Sequence, residues 1–374
     1  MRVLHITSVV DGRSNSGTAR VASELIHGLN EREGIHQTFL HFDASDNDIY
    51  GLPRTTEILI QPTGKMWGAR YLSFLKFALK QQFLWRFGRT KEFDVVHWHV
   101  SRIYPLFHLI PSSKHILTLH DAGGYILPNV NTFSTRIFRK VAEWSITKLH
   151  SVIVVSNSSK RDLIETNKID EKKIDTLYLA TNIASAHQTI PIGFKDFVGE
   201  GNFILCVARW QPHKNVESVV TAFAHYITEQ DDGLKLVLVG KPVGNYVEPQ
   251  KAIAKHAIEN RTWVTADLTD GELKYLYSQA RLNIFPSLHE GFGLSVLEGM
   301  ACGCPVIVHA GGATEEVAGS GGIAIDSRNH IEFAKTIRSC LARRSELSIN
   351  ATNRSRDFSW DKSIDQLLRI YNKQ

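Results

Sequence analysis

The chain is poor in cysteine and lacks any long apolar run, and each shortage removes a class of protein. Four cysteines in 374 residues, Cys206, Cys302, Cys304 and Cys340, are too few for a disulfide scaffold. Cys302 and Cys304 stand in Met300-Ala-Cys-Gly-Cys-Pro305, where small residues suit a helix end packed on a strand. A Cys-x-Cys metal site would need further Cys or His ligands nearby. No stretch has the apolar length of a membrane span. Met1-Arg-Val-Leu-His-Ile-Thr7 reads as a first β-strand and not as a signal peptide, being too short and without a cleavage pattern. A reducing cytoplasm is therefore the expected location, and the sequons at Asn157, Asn350 and Asn353 are chance matches. Gly-x-Gly-x-x-Gly is missing after the first strand, which removes the simplest dinucleotide-binding reading.

What is present is an alternation of short apolar strands and amphipathic helices. In the first half the strands read as Val3–Ile6, Thr38–Phe42, Val95–His97, Ile116–Leu119 and Ser151–Val155, with helices such as Ala19–Leu29 between them. In the second half Phe203–Ala208, Leu234–Val239, Arg281–Phe285, Pro305–Val308 and Gly322–Ile325 repeat the pattern. Such order predicts parallel sheets covered by helices on both faces. The length exceeds what one core sustains, so two domains are expected: 1–183, a linker 184–201 carrying Pro191, Gly193, Gly199 and Gly201, and 202–357. Sites in paired sheets of this type open into the cleft between them, so that domain closure assembles the site.

The densest chemistry lies in Glu290-Gly-Phe-Gly-Leu-Ser-Val-Leu-Glu298, two acids with seven residues between them. Gly291 and Gly293 let backbone approach a ligand closely, and Leu294–Ala301 reads as a helix whose free N–H groups favour an anion. At 1.5 Å per residue the two carboxylates stand about 12 Å apart or less, enough to reach hydroxyls on either side of a diphosphate. Upstream, Arg209 follows an apolar strand and so sits at its carboxyl end, where open α/β sheets bind ligands; Lys214 is on the next loop or first turn. Two acids and two cations so placed suit a sugar nucleotide. Each acid alone would pass for a solvated helix face; the combination with the glycines and cations points to glycosyl transfer.

At these residues the chain resembles the retaining glycosyltransferase family 4 of the GT-B fold. Val207-Ala-Arg209 through Lys214 looks like the family's phosphate-binding strand and loop, and the Glu-x7-Glu run matches its signature. Ile116-Leu-Thr-Leu-His120-Asp121 resembles its strand ending in His-Asp, and Val154-Val-Ser-Asn-Ser-Ser-Lys160 its Ser-x-x-Ser-Lys segment. Phe358-Ser-Trp360-Asp361, leading into Leu367, Leu368 and Tyr371, looks like the closing helix, 358–374, which the resemblance sends back to the first domain. Two departures fall in the N-terminal half: Ser16-Gly17 where many members carry two glycines, and Thr181-Asn182-Ile183 in place of Asn-Gly-Val.

The resemblance implies two Rossmann-like domains facing each other across a cleft, an acceptor-binding N-terminal one and a sugar-nucleotide-binding C-terminal one. It implies Arg209 and Lys214 on the phosphates, Glu298 on the ribose hydroxyls, and Glu290 on the transferred sugar near its reactive carbon, with Phe292 to Leu294 supplying amides. His120, beside Asp121, would reach the donor sugar, although a strand-end histidine alone is more often structural. Gly17, on the loop after the first strand, would leave room for diphosphate or acceptor. Retention of configuration without metal or cofactor is implied. Asp46-Asn-Asp48 has the spacing of the metal-binding Asp-x-Asp of the other large glycosyltransferase fold, but it lies in a polar stretch and reads as a solvated loop.

Charge divides unevenly. Residues 1–183 hold 23 Lys and Arg against 17 acids, a net +6, whereas residues 184–374 hold 20 against 21. Within Lys65–Lys91 there are seven basic residues, seven aromatics and no acid. If Trp67–Trp85 is helical, Trp67, Tyr71, Phe74, Ala78 and Trp85 share one face with Lys76 and Lys80 opposite. The segment suits contact with an anionic membrane at the inner face, or an aromatic stripe packed on its own sheet. Nucleic acid is disfavoured for want of any binding module. His97-Trp-His99 places two imidazoles on one face of a strand, and zinc would need a third ligand that is not evident from the sequence. Three readings remain: transfer of a mannosyl- or glucosyl-type hexose from a nucleoside diphosphate sugar to a lipid-linked oligosaccharide or other glycan in surface-polysaccharide assembly; a sugar-nucleotide epimerase or hydrolase, which would form product from donor alone; and a non-catalytic sugar-nucleotide-binding subunit, for which Glu290→Ala would leave function intact.

Overall fold

The structure, a computed structural model, describes residues 1–6, 17–41, 52, 56–59, 67–99, 106–120, 144, 147–167, 169–199, 202–230 and 232–373. The chain divides into two compact units, Met1–Leu179 with Trp360–Gln374, and Ala180–Ser359.

The first unit is built on seven strands: β1 (Arg2–Ile6), β2 (His36–His41), β3 (Thr56–Leu59), β4 (Phe93–Trp98), β5 (Ser112–Leu119), β6 (Ser151–Val154) and β7 (Ile174–Thr176). They lie in the order β3-β2-β1-β4-β5-β6-β7, every pair parallel. The helix α1 (Gly17–Asn30) buries Ala19, Val21, Ala22, Leu25, Ile26 and Leu29, a helical period that covers one face. The helix α2 is Trp67–Arg86 and α3 is Asn157–Asn167; Ser156 Oγ accepts the Ser159 amide at 3.0 Å and so caps the start of α3.

The second unit carries six strands: β8 (Phe203–Val207), β9 (Lys235–Val239), β10 (Thr262–Thr265), β11 (Leu282–Phe285), β12 (Val306–His309) and β13 (Gly322–Ile325). Their order is β10-β9-β8-β11-β12-β13, again all parallel. Its helices are α4 (Phe194–Val198), α5 (Val216–Glu229), α6 (Glu248–His256), α7 (Asp270–Gln279), α8 (Leu294–Ala301), α9 (Ala313–Ala318), α10 (His330–Ala342) and α11 (Arg344–Ser355). Alternation along β8 explains the two layers. Ile204 and Cys206 join the apolar cluster under α5 and α10, while Phe203 and Leu205 join the one under α4 and α7.

Both sheets are doubly wound parallel sheets, as the alternation predicts. The three strands missing from the sequence reading, β3, β7 and β10, are all sheet edges. An edge strand is covered less completely, so it needs no continuous apolar run to betray it. The stretch 184–199 belongs by its contacts to the second unit, where Phe194 and Val198 are buried against Phe203 and Tyr277.

The last helix, α12 (Trp360–Asn372), lies in the first unit and buries Ile364, Leu367, Ile370 and Tyr371. It packs on α1, where Gly28 leaves room for Ile364. Ser363 Oγ donates to the Tyr178 carbonyl at 2.7 Å and Lys114 Nζ to the Tyr371 carbonyl at 2.7 Å. Arg32 adds exposed ion pairs to Asp361 and Asp365 at 3.3 and 3.2 Å.

Helix α2 differs from the expected single stripe. Phe74 and Ala78 are buried, with Phe74 edge-on to Trp98 at 5.4 Å, so that part of the stripe does pack on its own sheet. Trp85, placed on the same face from the sequence, lies in the last turn of the helix and is 40% exposed. The side chains of Trp67 and Tyr71 lie outside the described residues.

Candidate active site

In the second sheet the chain order reverses beside β8, whose neighbours are β9 on one side and β11 on the other. Loops leaving β8 and β11 at their carboxyl ends therefore diverge to opposite faces and open a crevice, the ordinary ligand position of such sheets. Arg209 stands two residues beyond β8 and is exposed. Trp210 beside it is buried and bridges to Pro242, which fixes the backbone at that point. Gly240, at the end of β9, has φ 151°, and a Cβ there would run into the Ala208 carbonyl oxygen. The strand carrying Arg209 is thus held against a neighbour that only glycine permits.

Pro212–Lys214 form one 3₁₀ turn, ended by Asn215 with φ 53°. Asparagine tolerates this left-handed conformation better than most residues. Its side chain is buried and bonded on both ends: Nδ2 donates to Ser327 Oγ at 3.0 Å, and Oδ1 accepts Ser218 Oγ at 2.6 Å. Across the crevice the loop after β11 is stitched to the same turn. The His213 carbonyl accepts the Leu288 amide at 2.8 Å and Ser287 Oγ at 3.1 Å.

These bonds bring Lys214 to Glu290. The ammonium and the carboxylate form an ion pair, both side chains being mostly covered, and Lys214 Nζ lies 5.7 Å from the centre of the Phe285 ring. Gly291, Phe292 and Gly293 follow as buried backbone. Gly293 has φ 101° and is the residue before α8; a Cβ there would be 2.9 Å from Thr314 Cγ2. The helix α8 then begins at Leu294, as the sequence predicts, with its amino end at the crevice. Glu298, 6% exposed, lies one turn in. Tyr277 OH donates to Glu298 Oε2 at 3.0 Å, and burial together with that carboxylate pushes the phenol well above its ordinary range, so it remains a donor.

Arg209, Lys214, Glu290, Gly291, Phe292, Gly293, Leu294 and Glu298 all fall within the second unit, and Lys214 and Glu290 touch. Gly17 opens α1 in the first unit, and His120 is the first residue beyond β5 there. Asp121 and Asp46-Asn-Asp48 lie outside the described residues. Three residues of consequence escaped the sequence reading. Tyr277 reads as an ordinary core position of α7; Asn215 reads as a loop residue; His5 reads as part of an apolar strand.

His5 supplies the third imidazole beside His97 and His99. The three are fully buried, and one ring nitrogen of each lies within 4.8 Å of the others. His5 pairs with His97 across the β1–β4 register at the point where the first sheet's order reverses. The rings bond to one another and to their surroundings: His5 Nδ1 to His99 Nε2 at 2.9 Å, His97 Nδ1 to Tyr371 OH at 2.6 Å and His97 Nε2 to Thr118 Oγ1 at 2.7 Å. Both nitrogens of His97 are so engaged, as in a neutral histidine housed in a core, whereas His5 Nε2 and His99 Nδ1 are buried with no hydrogen-bond partner among the described residues.

Comparison with known proteins matches this architecture in two adjoining parts. The profile described as Glycosyltransferase Family 4 matches residues 15–184, and that described as Glycosyl transferases group 1 matches residues 193–358. The chain is 23% identical over 337 residues to the O-antigen chain mannosyltransferase RfbU of Salmonella typhimurium, covering 87% of this chain and 88% of that one. It is 26% identical over 270 residues to O-antigen chain mannosyltransferase B of Escherichia coli, covering 68% and 69%. The crystal structure of Anabaena HepE in complex with UDP and glucose superposes with a TM-score of 0.76 at 17% identity, covering all of both chains. The chain belongs to the GT4-type glycosyltransferases of the GT-B fold.

Proposed function

We propose that this glycosyltransferase moves a hexose, mannosyl or glucosyl in type, from a nucleoside diphosphate sugar to a glycan or lipid-linked oligosaccharide during surface-polysaccharide assembly. The observation that carries the donor half is the contact between Lys214 and Glu290 at the start of α8, with Glu298 one turn further on. A ligand that meets the ammonium also meets the carboxylate, which suits a phosphate joined directly to a sugar. The two O-antigen mannosyltransferases among the relatives support the acceptor class and favour mannose; the UDP and glucose of the structural neighbour keep a UDP-linked hexose as the other donor.

When the bond from the anomeric carbon to the diphosphate oxygen breaks, negative charge grows on the leaving group. Arg209, Lys214 and the amides that open α8 are the preorganised positive groups that would stabilise it. Glu290 would hold the sugar hydroxyls, Glu298 the ribose hydroxyls, and His120 with Gly17 the donor sugar and acceptor side. Attack from the face that the diphosphate leaves would retain configuration, and the protein cations would do the work that metal does elsewhere. A panel of GDP-mannose and UDP-hexoses with a membrane lipid extract as acceptor source tests this. One donor should release its nucleoside diphosphate in an acceptor-dependent way, with chelator without effect and the α-anomer retained. Failure of every donor to bind or turn over sinks the proposal.

The ribose role of Glu298 has its own test. Tyr277→Phe removes one hydrogen bond to a carboxylate, an interaction on the order of 1.5–3 kcal/mol. Binding of the cognate nucleoside diphosphate should weaken about tenfold, while its 2′,3′-dideoxy analogue, already lacking the hydroxyls, should bind the variant and the parent alike. Equal weakening of both would assign Tyr277 to packing alone.

A further inference from the structure

Helix α2 is apolar on two opposite faces, and only one of them is covered. Phe74, Ala78 and, in part, Phe77 pack into the first unit. At 100° per residue Leu72, Lys76, Leu79, Lys80, Phe83 and Arg86 fall together on about a third of the circumference, away from that face. All six are exposed. Leu79 is 51% accessible and Phe83 58%, and Phe87, tilted against Phe83 with ring centres 4.6 Å apart, is 63% accessible. Elsewhere the exposed large apolar side chains of the described residues are scattered; here five fall between residues 72 and 87. The same segment ends in exposed Arg89 and Lys91 and, from Lys65 onwards, contains no acid.

We propose that this outward face of α2 seats the enzyme on an anionic lipid bilayer, with Leu72, Leu79, Phe83 and Phe87 entering the headgroup boundary and Lys76, Lys80, Arg86, Arg89 and Lys91 pairing with lipid phosphates. The argument is charge complementarity joined to amphipathic geometry. Apolar side chains flanked by cations on a helix lying along a surface gain from burial into the acyl boundary and from the negative potential of the leaflet at once. A soluble acidic protein would satisfy the cations but would leave the projecting phenylalanines in need of a shaped pocket; a bilayer needs none. No helix among the described residues is long and apolar enough to cross a membrane, so attachment of this kind would be peripheral. The inference is independent of the transferase reading, because it concerns binding without donor or acceptor.

The test is flotation of the whole chain with vesicles of phosphatidylglycerol and phosphatidylethanolamine, against vesicles of phosphatidylcholine, at low and high salt. The parent should float with the anionic vesicles and leave them as salt rises. Phe83→Ser with Phe87→Ser should weaken that binding about tenfold, and Lys76→Glu with Lys80→Glu by at least as much, from roughly 1 kcal/mol per surface cation. All four side chains are exposed, so an unchanged unfolding midpoint is expected and separates lost docking from lost fold. Parent and variants floating equally, or the parent ignoring anionic vesicles, overturns the proposal. So does concentration-dependent self-association abolished by the same substitutions, which would make the face a protein interface.

Discussion

Replacing Lys214 with alanine should lower turnover by about two orders of magnitude or more, the usual scale of losing one preorganised charge contact to a developing anion. Geometry makes the expectation specific. The side chain is only 19% exposed and is held by a turn whose ends are fixed through Asn215, Ser327 and the His213 carbonyl. Its loss removes positive charge from where the diphosphate would leave and strips Glu290, 14% exposed, of its counter-ion. Both effects act on the transition state more than on substrate capture, so kcat should fall further than KM rises. Lys214→Arg keeps the charge but puts a larger planar head where a compact ammonium is mostly covered, and should recover only part of the rate. Steady-state kinetics of the two variants with the cognate donor decide the matter. Unchanged kinetics in Lys214→Ala would remove this residue from the phosphate role and leave Arg209 as the principal cation.

The second large effect concerns stability in acid. Burial holds His5 down to about 3, and holds His97 and His99 well below their ordinary value, helped by the neighbouring imidazoles. His115 is held down to about 3, by burial first and then by His150 and His108. Unfolded, each would take up a proton near pH 6.5. As pH falls from 6.5 towards 3 the unfolded chain therefore binds more protons than the folded one, and stability falls with it; above 6.5 the contribution is fully present. Each such histidine contributes up to about 1.4 kcal/mol per pH unit inside that window. Several of them in one unit should produce a steep loss, so denaturant midpoints measured at pH 7.5 and pH 5.5 should differ strongly for the unit containing them. A flat profile would mean that these rings meet water or are already charged in the fold.

How far the sequence foretold the structure depended on burial pattern. Central strands carry clusters of apolar residues and were placed to within about two residues, except β5, which starts at Ser112, four residues before the expected Ile116, because its opening stretch, Ser-Ser-Lys-His, is polar. The edge strands Thr56–Leu59, Ile174–Thr176 and Thr262–Thr265 carry no such cluster and were invisible. The candidate site was legible where chemistry and backbone punctuation coincide, as in Glu290-Gly-Phe-Gly, because glycine beside an acid is hard to explain by packing. Tyr277 gave no signal, since a tyrosine on an amphipathic helix is ordinary until its hydroxyl is seen on Glu298. The third imidazole could not be read either. His5 lies more than ninety residues from His97 and meets it only through the parallel register of β1 and β4. Helix α2 was read with one apolar face because wheel arithmetic finds stripes but cannot say which of two the sheet will cover.

The return of α12 to the first unit has a consequence for biosynthesis. Tyr371, buried against His97, and Ile364, seated over Gly28, belong to the unit whose other residues end at Leu179. The amino-terminal unit is begun first yet completed last, because residues 360–374 leave the ribosome only after the whole carboxyl-terminal unit has been made. At about 5–20 residues per second that delay is on the order of ten to forty seconds. Throughout it the groove that Leu367 and Ile370 will fill stands open on a nascent chain, a natural footing for a chaperone and a reason why clipping the tail should harm the distant first half more than its neighbour.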